Sequence, residues 1–160
     1  MSHVVNSCSS EETAQKMLPE VLTVLEFARE HTECEITRYF LLALARILNH
    51  HSIRQTVVRE EPVLIELLCH FAQHADRATI WRTASRCLSI AAQSPIPTSQ
   101  HDSAVVSVIY KQVETSCNDV LIQSWWGLNR FCRDSEKRTI TLRNLATTER
   151  LRELATSVNI

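Results

Sequence analysis

Two proline-marked stretches, 43 residues apart, constrain what this chain can fold into. "MLPEVLTVL" at 17–25 places Val21, Leu22 and Leu25 on one helical face, and "EEPVLIELL" at 60–68 does the same with Leu64, Ile65 and Leu68. Apolar residues at this spacing mark amphipathic helices, and a proline fits the first helical turn, where its missing N–H would be unpaired anyway. Recurrence at this distance predicts one helical unit repeated along the chain, each copy burying its apolar face against the next.

Three helices make up each cycle: a short one, a proline-started one of medium length and a long one. In the first cycle, Ser9 and Glu12 form a capping-box pattern over "SEETAQKM", Pro19 should end that short helix and open the next, and a long helix is expected over 35–49. Its apolar stripe is read as Ile36, Phe40, Ala43, Leu44 and Ile47. "SIRQTVVRE", "PVLIELLCHFAQH" and "RATIWRTASRCLSIAA" repeat the order. "AVVSVIYKQVETS" and "DVLIQSWWGLNRFC" supply the last two helices of a third cycle, and "SEKRTITLRNLA" with "ERLRELATSV" opens a fourth. The cycles fall at about 10–49, 52–92, 103–134 and 135–157, a single helical domain over 10–157 behind a disordered tail at 1–9. "QSPIPTSQHD" at 93–102 reads as a loop standing where the third short helix should be.

Superposed, the medium helices share the column Val21, Leu64, Ile109 and Leu151, at spacings of 43, 45 and 42. The long helices share Ala43, Cys87 and Gly127, followed directly by Leu44, Leu88 and Leu128. A column of small residues is expected where long helices approach closely, since a bulky side chain would overpack the contact. Glycine costs about 1 kcal/mol relative to alanine inside a helix, so Gly127 implies a steric need.

Composition narrows the class. With a single glycine in 160 residues, hairpins built on tight turns are disfavoured, and the fold class expected is all-α. A net charge of -1 gives no bulk attraction to nucleic acid. The six cysteines, at 8, 34, 69, 87, 117 and 132, form no CxxC pair and read as reduced, mostly buried thiols. "MSHVVNSCSS" lacks the basic start and apolar core of a signal peptide, and the longest apolar run, "FLLALA" at 40–45, is far short of a membrane span. A cytoplasmic or nuclear location is the expectation, with no membrane partner.

"LPEVLTVLEFAREH" followed by "EITRYFLLALARILNHH" resembles the second and third helices of an armadillo repeat, although the usual glycine before the proline is absent. HEAT repeats share the same packing logic. The resemblance covers most of 10–157 and implies a right-handed α-superhelix of about three and a half repeats, whose long helices line a concave groove for extended peptides. The family's tryptophan column falls on Leu42, Arg86 and Trp126, and its asparagine column on Arg46, Ile90 and Arg130. With no asparagine present, bracketing of basic nuclear-localisation peptides is not implied.

Arginine stands there instead, and Arg38 with Arg82 forms another matched column one turn earlier. Arg38, Leu42, Arg46, Arg82, Arg86, Trp126 and Arg130 are therefore the candidate peptide-binding residues. Guanidinium forks bind carboxylates and phosphates bidentately, so the ligand expected is an acidic or phosphorylated segment of a partner protein. The competing reading pairs these arginines with acids such as Glu35 or Asp76 on a solvated face. Trp125 points away from Trp126 and is assigned to the core, whereas Trp81 is compatible with either environment. No phosphate-cradling glycine loop, nucleophile elbow or paired acidic motif is present, so no enzymatic activity and no cofactor are expected. His70 and His74, one turn apart beside Cys69, supply too few ligands for a metal. His50 and His51 are read as ending the long helix before them. Self-association through an exposed end of the stack is the second functional reading, and nucleic-acid binding is disfavoured.

Overall fold

The computed structural model describes residues 10–31, 35–115 and 118–145. Among them are eight α-helices and no strand: α1 (Glu11–Glu30), α2 (Glu35–Leu48), α3 (His51–Glu60), α4 (Pro62–His74), α5 (Ala78–Ala91), α6 (Asp102–Thr115), α7 (Asn118–Arg133) and α8 (Glu136–Leu145). Two rows emerge from their contacts. The long helices α2, α5 and α7 pack side by side in that order, while α1, α4, α6 and α8 form a second row. The rows are tied by the contacts of α1 with α2, α4 with α5, and α6 with α7, and α3 packs on α2 and α4. The tail at 1–9, including Ser9, and the end of the fourth cycle, including Leu151, lie outside the described residues.

The first proline does not break its helix. α1 runs through Pro19, and its cap is Ser10, whose Oγ accepts from the Thr13 N–H at 3.2 Å. The expected short helix ending at Pro19 is thus merged into a 20-residue helix. Burial explains the difference. Ala14, Leu18, Val21, Leu25 and Ala28 make one stripe across the proline, and all pack in the core or against it. Keeping that stripe straight outweighs the hydrogen bond lost at Pro19. In the second cycle the stripe of Ile53 and Val57 meets Glu60 and Glu61, which stay exposed. There the chain breaks, with Pro62 as the first residue of α4.

Two further expectations need correction. In α2, Ala43, Leu44 and Ile47 are buried as expected and Phe40 packs against the core, but Ile36 is 49% exposed and Thr37, Leu41 and Leu48 join the buried face instead. His50 and His51 do not end α2; His50 is the N-cap of α3 and His51 its first residue. Nδ1 of His51 accepts from Arg54 Nη2 at 3.1 Å.

Leu44, Leu88 and Leu128 are fully buried, as are Val21, Leu64 and Ile109. Two members of the small-residue column, Cys87 and Gly127, lie at close helix junctions. A Cβ added at Gly127 would stand 2.4 Å from the Ser89 carbonyl oxygen of α5, and the Cys87 thiol donates to the Leu41 carbonyl of α2 at 3.3 Å. Register slides between the two junctions. Cys87 meets a residue preceding its α2 counterpart Ala43, whereas Gly127 meets one following its α5 counterpart Cys87.

Residues 92–101 connect α5 to α6 without a helix. Two buried arginines, from α3 and α8, hold this connection. Arg54, on α3, donates from Nε to Ser94 Oγ at 2.8 Å and from Nη1 to the Leu48 carbonyl at the end of α2 at 2.9 Å. Arg138, on α8 and 1% exposed, donates from Nη2 to the Ile96 carbonyl at 2.9 Å and from Nη1 to the Phe131 carbonyl near the end of α7 at 3.3 Å. It also grips Asp102 with a fork, Nε to Oδ2 at 2.9 Å and Nη2 to Oδ1 at 3.0 Å, and stacks on the Phe131 ring at 3.7 Å. Each guanidinium satisfies carbonyls at a long helix's C-terminal end, where a positive charge is favoured. With no short helix between α5 and α6, these side chains supply polar partners for the buried part of the link.

Candidate functional site

The seven candidate residues divide by environment. Leu42, Arg82 and Arg86 line one groove of about 710 Å³, formed by α2, α4, α5, α6 and the start of α7. Trp126 and Arg130 line a second, of about 580 Å³, together with Arg54, Asp119 and Ile122. Arg38 and Arg46 line neither. Arg38 is held by Glu35, Nε to Oε1 at 2.9 Å, and lies 5.0 Å from the Tyr39 ring. Glu35 also pairs with Arg77 at 3.6 Å. Arg130 pairs with Asp134 one turn on. Arg46, Arg82 and Arg86 are exposed, and none of them forms an ion pair among the described residues.

The first groove has the more one-sided chemistry. Its charged lining residues are Arg82, Arg86 and Lys111, with no Asp, Glu or His among the lining side chains. Trp81 organises two of the three: Arg82 Cζ lies 5.1 Å from its ring centroid and Lys111 Nζ lies 5.3 Å away. Such placement over an indole face is an electrostatic attraction to the ring quadrupole and leaves the N–H donors unspent. None of the three cations donates a side-chain hydrogen bond to a protein group among the described residues. On the buried side, Gln112 Oε1 is contacted by the hydroxyls of Ser89 and Ser124, which closes the polar seam between α5, α6 and α7.

The second groove is mixed. Ile122 and Trp126, one turn apart on α7, leave 50% and 46% of their surfaces in solvent. Arg54 beneath them is 9% exposed, and its three bonded nitrogens face neutral acceptors: Ser94 Oγ, the Leu48 carbonyl and His51 Nδ1. Burial lowers its pKa from the ordinary arginine value. Asp119 brings negative charge to the same lining, so the groove offers no single-sign field.

Other chemistry is subdued. Cys69, Cys87 and Cys132 are buried free thiols. Burial pushes Cys69 and Cys87 up to about 12 and Cys132 to about 11, which keeps them protonated and poorly nucleophilic near neutral pH. Cys8, Cys34 and Cys117 fall outside the described residues. The His70 and His74 rings stand 5.4 Å apart, and no three potential metal ligands converge among the described residues. No helix among those residues is long and apolar enough to cross a membrane. Trp125 packs against the core, and Trp81 lies partly buried in the first groove's wall.

Lys111 and Arg54 escaped sequence reasoning. Lys111 sits on a medium helix, outside the long-helix columns that drew attention to the arginines. Arg54 and Arg138 carried a usable signal, since both occur early in short-helix segments two cycles apart, but a charged residue in such a pattern reads as solvated.

Comparison with protein-family models, with curated proteins and with solved structures finds no match for the chain. Function therefore rests on the side chains and the grooves they line.

Proposed function

We propose that this chain is a non-enzymatic interaction adaptor, an armadillo-like α-solenoid of about three and a half repeats, whose arginine-bearing concave face receives an extended acidic or phosphorylated segment of a partner protein in the cytoplasm or nucleus. The stacking of α2, α5 and α7 beside α1, α4, α6 and α8, mainly through sequence-near neighbours, supports the solenoid reading. The observation that carries the binding reading is the groove where Leu42, Arg82 and Arg86 meet Lys111 and Trp81 with no carboxylate in the lining. Unpaired cations beside apolar Leu42, Trp81 and Val108 in a mixed lining suit an anionic peptide, because the charges steer encounter and the apolar side chains contribute burial.

A panel of acidic, phosphorylated and neutral peptides, read by fluorescence anisotropy, tests this. Wild type should bind anionic members, more weakly as salt rises, and Arg82→Glu/Arg86→Glu should lose binding while keeping the helical circular-dichroism signal and melting temperature. Equal binding by the folded variant, or no anionic binder for wild type, overturns the reading. The second reading, assembly through the ends of the stack, draws on Ile140, left 47% exposed on α8. Sedimentation at high concentration tests it: a strict monomer, unaffected by Ile140→Lys, removes self-assembly.

A further inference from the structure

We infer that the group seated in the first groove is a phosphorylated side chain, held by Arg82, Arg86 and Lys111 beside Trp81. This rests on the peptide-binding reading above and adds the ligand's chemistry. Three cations line the groove with no lining acid. A carboxylate would neutralise only one of them, whereas a phosphomonoester brings about -1.5 to -2 charge at pH 7 and three acceptor oxygens. Arg82 and Arg86 stand one turn apart on α5, so two guanidinium forks can be offered from one helix to neighbouring oxygens. Lys111 comes across from α6 as a point charge. Trp81 holds Arg82 and Lys111 each just over 5 Å from its ring centroid. That contact restricts two long side chains before any ligand arrives, lowering the ordering cost of binding. The second groove lacks this character: Asp119 shares its lining and Asp134 already pairs with Arg130.

Four small probes separate the possibilities: blocked phosphoserine, blocked glutamate, inorganic phosphate and dimethyl phosphate. Each is titrated into the full chain and followed by NMR at the Trp81 indole N–H, the Arg82 and Arg86 side-chain N–H groups and the Lys111 amide. Phosphoserine should shift these signals saturably and bind about tenfold more tightly than glutamate, with inorganic phosphate following it. Phosphoserine binding should strengthen from pH 5 to pH 7 as its second proton leaves near pH 6. The lining holds no Asp, Glu or His. Arg86→Gln and Lys111→Gln should each weaken binding roughly fivefold with the helical circular-dichroism signal and melting temperature unchanged. Glutamate binding as well as phosphoserine overturns the inference and leaves the acidic-peptide reading standing. Dimethyl phosphate matching phosphoserine overturns it in favour of a nucleic-acid backbone, and perturbation confined to other surfaces by every probe removes both the inference and the reading beneath it.

Discussion

At the scale of single residues, the strongest constraints are steric and protonic. Gly127 was suspect in the sequence because a lone glycine inside an apolar pattern needs a reason, and the Ser89 carbonyl of α5 supplies it. Gly127→Ala gains about 1 kcal/mol of helix propensity, but its Cβ meets backbone that cannot rotate away. Overpacking typically costs about 1–3 kcal/mol, and a contact of 2.4 Å belongs at the upper end. A net loss of roughly 1–2 kcal/mol is expected in urea titration; a stabilised variant would mean that α5 and α7 stand farther apart. The buried thiols give a pH prediction. An exposed cysteine of the unfolded chain starts to ionise near 9.0, whereas the folded protein holds the protons of Cys69 and Cys87 to about 12. Between those values the unfolded state binds fewer protons, so stability is fully present below pH 9 and falls as pH rises. The urea midpoint should drop from pH 9 to pH 11, and Cys87→Ala should shallow that decline. Parallel slopes in wild type and variant would show that Cys87 ionises equally in both states.

At the scale of elements, the two prolines that first aligned the cycles do opposite things. Periodicity made the faces legible: Val21, Leu64 and Ile109, and Leu44, Leu88 and Leu128, are buried because a helix has only one way to collect such spacing on one side. Proline chemistry alone did not locate the breaks, since it says where a helix can start and not whether packing will override it. The stripe through Pro19 continues and the stripe before Pro62 ends in glutamates, a comparison available in the sequence. The groove was less legible. Its arginines fell on matched columns, but Lys111 joins them from another layer, and no spacing along one helix reports that. Pro19→Ala should restore the interior hydrogen bond and stabilise by about 1–3 kcal/mol, less a few tenths for the freer unfolded chain. Pro62→Ala, at the first helical position, should be neutral or slightly destabilising. Thermal melts of the pair decide it, and similar shifts in both would contradict a continuous α1.

At the scale of the whole molecule, the question is whether the two rows behave as a stack of neighbours or as one cooperative bundle. Packing joins helices close in sequence, and the α1–α2 end and the α8 end share no substantial contact. Stability should then be a sum of local and nearest-neighbour terms, with the two ends able to open separately. Arg138 provides the lever. Its fork to Asp102 and its bonds to the Ile96 and Phe131 carbonyls fasten α8, α6, α7 and the 92–101 connection together. Arg138→Ala leaves the Asp102 carboxylate without its counter-charge, held among the described residues only by the Ser99 N–H, and strips two carbonyls of a donor, a loss of about 3–5 kcal/mol where a buried pair is broken. Hydrogen exchange should then quicken through α6, α7 and α8 while α1 and α2 keep protection near the wild-type level. Arg138→Met with Asp102→Asn, which removes the charges but keeps the bulk, should recover part of the protection. Equal loss in α1 and α8 would mean a single cooperative unit, and the proposed solenoid reading would have to be given up.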